Sequence, residues 1–254
     1  SLGYGISENS KRCAGANAAS IERYGADIGG TTVGYLNDDL AFGLPNGIGP
    51  EVTAMKDAGV DLVLSCIDLN GMLTLAQELR RQGMEDVVMI HPNPYNQDFV
   101  TEADGLFEGD YVTVGFVPFE YDTDLELQQK YLEYMELGGT EPSELAMLGW
   151  INAHQAFEGL LLAGPEFDRE SVTEARNAMT ADSAGGLIPA IDWTRQHNPP
   201  SEDDNTNDYA DECFSAVRIV DGVFEPVVED ETLPFLCWST ESYEWSEPMQ
   251  MSFE

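Results

Sequence analysis

The sequence predicts an α/β protein with a parallel sheet, followed by helices that extend beyond that sheet. In residues 1–116, short apolar runs alternate with amphipathic stretches, which is typical of strand–helix–strand units. The 254 residues are 43% hydrophobic and 10% aromatic, enough to bury a core. After Pro118 the pattern changes to helices and then to a hairpin.

The first region is predicted to contain five strands, at residues 2–6, 32–36, 60–64, 87–90 and 111–116. A helix after Ser7 is expected to stop at Gly25, and a second helix covers residues 50–58. Asn70 is the predicted cap of a third helix that stops at Gly83. Its apolar residues have the spacing of one buried face, at Met72, Leu75, Ala76 and Leu79.

The second region is predicted to be mainly helical. Thr123 and Glu126 form the pattern of a capping box, and Gly138-Gly139 ends that helix. Residues 143–163 form a second helix, and Asp168 caps a third. A hairpin over residues 214–220 and 223–228 turns at Asp221-Gly222.

Charge limits the classes of partner. The chain has 47 acidic and 11 basic residues, for a net charge of −36. Nucleic acid and anionic membranes are disfavoured because their phosphates repel such a chain. The acidic surface is explained either by hydration in salty or alkaline surroundings or by cation binding, and the first is favoured.

The cysteines indicate an oxidising compartment. Cys13, Cys66, Cys213 and Cys237 lack the Cys-x-x-Cys spacing, and their separation favours Cys13 with Cys66 and Cys213 with Cys237. Free buried thiols are the alternative. No apolar run is long enough to span a bilayer. A secretion signal is expected to have been removed, since the amino terminus lacks its pattern.

Several motifs carry a resemblance to a known family. The run from Gly59 to Gly71 and the helix after it resemble the type I periplasmic-binding family, in its branched-chain amino-acid-binding branch. Further stretches are similar to actinobacterial members: Lys11 to Gly15, Leu40 to Gly43, Pro92 to Tyr95, Leu106 to Gly109, Gly149 to Ala153 and Asp192 to Thr194. These motifs cover most of residues 1–238.

The resemblance implies two α/β lobes around a cleft, and this chain is expected to begin at the first crossing between them. Residues 1–139 would be one complete ligand-binding lobe, and residues 140–212 the helical part of an incomplete second lobe. Residues 213–238 would be a hinge-proximal hairpin and residues 239–254 an acidic tail.

The implied function is that of an extracytoplasmic solute-binding subunit of an ABC importer. It would deliver a small polar metabolite, such as an amino acid, an amide or a urea-like compound, to a membrane permease. The resemblance implies neither cofactor nor catalysis. The alternative is a ligand-sensing domain of a receptor or regulator with the same fold.

Ligands of open parallel sheets bind beyond the carboxyl ends of the strands. That rule selects seven candidates in the loops there: Ser7, Asn9, Ser10, Asp68, Asn70, Asn93 and Tyr95. Helix capping competes with ligand contact for the first five, and a structural loop competes for the last two. Asp68 is the first choice, because its carboxylate accepts hydrogen bonds from an ammonium or amide. Phe42 is expected in the core.

The sequence departs from leucine-binding relatives, which would place an aromatic residue in the first-strand loop and an acid after the fourth strand. His91, His154 and His197 are widely separated and lie in no catalytic motif, so no catalytic or metal-binding residue is predicted. His91 is expected to be packed. Residues 202–208 alternate acids and amides as a calcium loop does, but a solvated loop is favoured because the required Gly and Glu are missing.

Overall fold

The structure is a computed structural model that describes residues 1–196, 211–228 and 234–239. The chain divides into two compact units. The first unit comprises Ser1–Thr113 and Val217–Glu225, and the second comprises Val114–Ala216 and Pro226–Glu254. The predicted acidic tail beyond residue 239 and the acidic run at 202–208 lie outside the described residues. The boundaries expected at 139, 212 and 238 stay predictions.

The strands are β1 (Leu2–Tyr4), β2 (Asn37–Leu40), β3 (Leu62–Cys66), β4 (Val88–His91), β5 (Tyr111–Val114), β6 (Asp211–Val220), β7 (Val223–Pro226) and β8 (Leu236–Ser239). The helices are α1 (Glu8–Tyr24), α2 (Gly49–Asp57), α3 (Leu69–Arg81), α4 (Gln97–Glu102), α5 (Glu126–Gly138), α6 (Glu144–Ala163), α7 (Arg169–Asn177) and α8 (Trp193–Gln196). A 3₁₀ turn covers Ala184–Gly186.

The sheet is parallel over its first five strands, which confirms the predicted fold class. The pairs β1–β2, β1–β3, β3–β4 and β4–β5 all run parallel, in the order β2-β1-β3-β4-β5-β6-β7. The carboxyl ends of β1 to β4 therefore lie along one edge. The loops that leave those ends carry the predicted ligand-binding residues.

Helix α3 forms because one of its faces is apolar. Met72, Leu75, Ala76 and Leu79 are all at most 3% exposed, as the sequence predicts. Burying a side chain such as that of Leu75 contributes about 1.5–3 kcal/mol. The predicted cap, Asn70, is wrong, since Asp68 is the N-cap and its Oδ1 accepts from Gly71 N at 3.1 Å. A carboxylate at this position also interacts favourably with the helix dipole.

The second strand lies later in the chain than predicted. Residues 32–36 have the apolar alternation of a strand but precede the paired segment, because the register joins Leu2 to Asn37 and Tyr4 to Leu40. Strand β2 is an outermost strand of the sheet, with a neighbouring strand on one side only. Polar residues such as Asp38 and Asp39 are tolerated there.

In the second unit, α5 begins without the predicted capping box. Leu125 is the N-cap, and Thr123 Oγ1 instead donates to Gln128 Oε1 at 2.5 Å. Gln128 is 2% exposed, and its amide also donates to the carbonyls of Val117 and Pro118. Leaving a buried amide without hydrogen bonds costs more free energy than losing an exposed helix cap, so the Thr123 hydroxyl binds Gln128.

The other helix ends in the second unit follow the sequence. Gly139 ends α5 in a left-handed conformation, with φ at 62°. Asp168 caps α7 in a reciprocal capping box with Ser171. Helix α6 buries Ile151 but leaves other apolar residues of its length exposed: Leu145, Leu148, Phe157, Leu160, Leu161 and Leu162.

The buried carboxylate of Asp182 accepts hydrogen bonds from four different elements of the second unit. It is 2% exposed, and its Oδ2 accepts from Gln155 Nε2 at 2.9 Å and Trp193 Nε1 at 2.7 Å, and also from Arg176. Its Oδ1 accepts from Ala184 N at 3.1 Å. These bonds link α6, α7, α8 and the 3₁₀ turn.

The predicted hairpin joins β6 to β7. Asp221 and Gly222 have φ values of 51° and 76°. A two-residue type I′ hairpin turn requires positive φ at both of its central residues. The Glu108 carboxylate accepts from both of their backbone N–H groups, at 2.9 and 3.2 Å.

Candidate functional site

The candidate site is the edge of the first unit's sheet where β1, β2 and β3 end. Three segments leave that edge: the start of α1 after β1, the loop after β2, and the start of α3 after β3. Parallel strands place these loop ends side by side, which is where open sheets bind small molecules.

The first-strand loop contributes Ser7, Asn9 and Ser10. Ser7 is the N-cap of α1, and its Oγ accepts from Ser10 N at 3.3 Å. Ser10 Oγ accepts from Tyr4 N at 2.7 Å and donates to Cys66 O at 2.5 Å, so it joins the ends of β1 and β3. These two hydroxyls have capping and bridging roles. Asn9 is exposed and is the residue of the three that is open to solvent.

Asp68 is half-buried at the end of β3, and its two oxygens differ. Oδ1 accepts from Tyr4 Oη at 2.5 Å and from Gly71 N at 3.1 Å. Oδ2 has no hydrogen-bond partner among the described residues. One oxygen is therefore used to hold the carboxylate in place, and the other is available to a donor from outside.

Tyr4 is a site residue that sequence analysis missed. It lies within the apolar run of β1, and this pattern predicts a core position. It is 3% exposed, and its hydroxyl reaches Asp68. Burial is the main cause that raises the pKa of Tyr4, and its hydrogen bond to the Asp68 carboxylate adds to it. The phenol is therefore neutral and donates a hydrogen bond to Asp68 Oδ1.

Phe42 lies in the loop after β2, and the expectation that it belongs to the core is wrong. Its side chain is 64% exposed. Its ring meets that of Tyr4 edge to face, with centroids 5.1 Å apart. An exposed aromatic ring, in contact with the tyrosine that binds Asp68, offers both an apolar surface and a π face to a bound solute. The sequence signal for a role of Phe42 was its place in the stretch from Leu40 to Gly43, which is similar to members of the family.

The remaining candidates do not join this cluster. Asn70 and Asn93 are exposed, in α3 and after β4. Tyr95 is 2% exposed, and its ring packs against Phe224 at 4.9 Å. Its burial favours a packing role, and ligand contact by these three residues stays a prediction.

Both predicted disulfides are present, Cys13–Cys66 and Cys213–Cys237. The first ties α1 to the end of β3, two residues before Asp68, and Asn17 Nδ2 donates to Cys66 Sγ at 3.3 Å. It therefore links the two elements that carry Ser10 and Asp68. The second lies in the second unit and joins β6 to β8.

A buried Ser–His–Asp network lies beneath the edge. Ser65 Oγ is 3.0 Å from His91 Nδ1, and His91 Nε2 is 3.0 Å from Asp110 Oδ2. Asp110 Oδ1 also accepts from Met89 N at 2.8 Å. The three side chains are 2%, 0% and 3% exposed, so a substrate has no access to the serine. His91 is packed, as predicted, and the network joins β3, β4 and the start of β5.

Neither a metal cluster nor a membrane span occurs in the part of the chain that the structure describes. Residues 1–196, 211–228 and 234–239 contain no group of three or more His, Cys, Asp or Glu side chains suited to hold a metal ion. None of the helices in those ranges is long and apolar enough to cross a bilayer.

Solved structures of similar fold include three transport or binding proteins. A periplasmic binding protein type 1 from Bordetella pertussis Tohama I is 18% identical, with a TM-score of 0.66 over 89% of this chain and 60% of that one. A fatty acid ABC transporter substrate-binding protein from Thermomonospora curvata is 18% identical, with a TM-score of 0.63 over 89% and 55%. A branched-chain amino acid ABC transporter from Thermus thermophilus with bound valine is 17% identical, with a TM-score of 0.59 over 90% and 59%.

This chain spans 55–60% of the length of these three proteins, and at such identities the likeness shows the fold. A search of curated proteins found no match. The family model described as periplasmic binding protein matches residues 6–206. With its parallel sheet and this match, the chain belongs to the periplasmic binding protein family, as a type I member.

Proposed function

We propose that this chain is the ligand-binding part of an extracytoplasmic solute-binding subunit of an ABC importer. The observation that carries the proposal is the Asp68 carboxylate. It is fixed through Oδ1 and has Oδ2 available at the edge where open parallel sheets bind ligands. The family match supports the solute-binding role, and the chemistry of the edge supports the class of solute.

The solute is a small polar molecule with N–H donors, such as an amino acid, an amide or a urea. Asp68 Oδ2 accepts a hydrogen bond from its ammonium or amide group, a contact worth about 1.5–3 kcal/mol when one partner is charged. Phe42 covers the apolar part of the solute, and exposed Asn9 offers a further polar group. No bond of the solute is broken.

A second lobe completes the site in this proposal. The exposed apolar residues along α6 would cover the sheet of that lobe, and the solute would bridge the two lobes. Contacts to both lobes stabilise the closed form, which the membrane permease recognises. The two disulfides are consistent with an oxidising, extracytoplasmic location.

A thermal-shift screen of the full-length protein tests the proposal. The panel comprises amino acids, amides, ureas and, as a contrast, fatty acids. A solute that binds only the folded state adds about 2.7 kcal/mol of stability at about 100 times its dissociation constant. We expect at least one amine or amide to raise the melting temperature. A panel without any stabilising solute, or with fatty acids alone, contradicts the proposal.

A further inference from the structure

The phenol of Tyr4 joins three loop ends of the first unit. It lies at the end of β1 and donates to Asp68 Oδ1, after β3, at 2.5 Å. Its ring contacts Phe42 at a centroid distance of 5.1 Å. Tyr4 thus touches both Asp68 and Phe42, although it is only 3% exposed.

Gly71 leaves the room that the Tyr4 hydroxyl occupies. A Cβ atom at residue 71 would lie 2.2 Å from Tyr4 Oη and 3.0 Å from Asp68 Oδ1. Contact at 2.2 Å is far inside van der Waals distance, so any side chain here displaces the phenol. The glycine is not needed for its backbone conformation, since it lies within the first turn of α3.

The backbone beneath the phenol is also fixed. Ser10 Oγ accepts from Tyr4 N at 2.7 Å and donates to Cys66 O at 2.5 Å. This hydroxyl sets the end of β1 relative to the end of β3, two residues before Asp68. The hydrogen bonds from Tyr4 to Ser10, from Ser10 to Cys66 and from Tyr4 to Asp68 therefore close a ring around the edge.

We propose that Tyr4 is a positioning residue for the solute site and that Gly71 is the residue that permits this role. The phenol saturates Asp68 Oδ1, so the carboxylate presents a single oxygen, Oδ2, to a solute. A site prepared in this way loses less side-chain entropy when a solute binds. The role of the site rests on the proposed function, whereas the positioning by Tyr4 is measurable without any solute.

Nitration by tetranitromethane at about pH 8, mapped by peptide mass spectrometry, measures the state of each phenol. The reagent attacks accessible phenolates, and each unit by which the pKa of a phenol rises lowers its phenolate fraction tenfold. Tyr134, 60% exposed, is the internal reference. In the wild-type protein we expect Tyr4 to react at least about tenfold more slowly than Tyr134.

Two pairs of variants test the contacts. Gly71→Ala should speed Tyr4 nitration by about tenfold or more, because it displaces the hydroxyl from Asp68. Gly15→Ala is the matched control, since Gly15 also lies in a helix and its added Cβ meets no atom within 4 Å. Asp68→Ala should likewise speed the reaction, whereas Asp68→Asn keeps an acceptor for the phenol and should retain most of the protection. This second pair decides the question if Gly71→Ala does not fold.

The proposal is overturned if wild-type Tyr4 reacts as fast as Tyr134, or if its rate is the same in Asp68→Ala as in Asp68→Asn. An equal rate in folded Gly71→Ala and Gly15→Ala overturns the role of Gly71. If the expected nitration pattern is found while the thermal-shift panel yields no solute, the positioning role stands and the transport proposal fails.

Discussion

Ser65 and His91 lie side by side inside the first unit, with Ser65 Oγ 3.0 Å from His91 Nδ1. His91 faces Asp110 on its other side, and Asp110 accepts from the backbone of Met89. The network therefore holds β3 and β4 directly below the loops that carry Asp68 and Asn93. Its burial makes it a structural element, and its titration should be visible in the stability of the protein.

Asp110 should make the free energy of unfolding depend on pH in a defined direction. Burial raises the pKa of Asp110 above its ordinary value of 3.8, although His91 and Met89 oppose the rise. Above pH 3.8 the folded state then binds more protons than the unfolded state, so stability falls as the pH rises through this window. Asp110→Asn removes that dependence. Urea unfolding of both proteins from pH 3.5 upward measures it, and a wild-type advantage that grows with pH in this window contradicts the assignment.

Asp182 should have the opposite pH dependence in the second unit. Burial alone would raise the pKa of Asp182, but hydrogen bonds from Trp193, Ala184 and Arg176 outweigh it, so the pKa is lowered. Asp182→Ala leaves Arg176 without this partner and should cost about 3–5 kcal/mol at neutral pH. Exposed Asp124→Ala is the control and should change stability by less than about 0.5 kcal/mol.

The gap between wild type and Asp182→Ala should close in acid. The stabilisation by the carboxylate is present above its unfolded pKa, near 3.8, and is lost as the pH falls through the lower folded value. Denaturant titrations at neutral pH and near pH 3 measure the gap. An equal or larger gap at pH 3 would mean that the charge of Asp182 does not stabilise the unit.

The two disulfides should stabilise the protein to different extents, because they close loops of different length. Cys13 and Cys66 are 53 residues apart and Cys213 and Cys237 are 24 apart. In the chain-entropy model, replacing both cysteines by serine costs about 4 kcal/mol for the first pair and about 3.5 kcal/mol for the second. Mass spectrometry without reductant should find both cross-linked peptides, and four free thiols would refute the pairing and the oxidising compartment.

Phe42 should contribute little to stability, in contrast to a buried phenylalanine of the same unit. Phe42 is 64% exposed, whereas Phe107 is 1% exposed. Phe42→Ala should cost no more than about 1.5 kcal/mol, the contribution of its ring contact with Tyr4. Phe107→Ala should cost about 3–5 kcal/mol. Similar losses in chemical denaturation would return Phe42 to the core.

The parallel sheet and most helices could be predicted because the local signals agree with the packing. The apolar spacing of α3, the glycine after α5 and the Asp168 cap each specify a local geometry that the tertiary structure keeps. The prediction of a strand at residues 32–36 is wrong because the position of this outermost strand is decided by its pairing with β1. That pairing is not a local interaction. The Thr123 capping box failed because buried Gln128 required the hydroxyl.

The candidate site was only partly predictable for the same reason. Asp68 follows a strand, so its place at the edge could be inferred from sequence. The role of Tyr4 depends on a contact with Asp68 across 64 residues of sequence, and its position inside β1 gives no sign of this contact. The sequence also cannot show that Gly71 serves the phenol of Tyr4, because the spacing indicates only a helical position.

Calorimetric binding of the most stabilising solute to the full-length protein tests the role of Asp68 most directly. Asp68→Asn keeps a capping oxygen but removes the charge, and exposed Asp61→Asn, at the other end of β3, is the control. We predict that Asp68→Asn weakens binding by about ten- to a hundredfold and that Asp61→Asn leaves it unchanged. Equal affinity of Asp68→Asn and the wild-type protein would contradict a solute site at this edge.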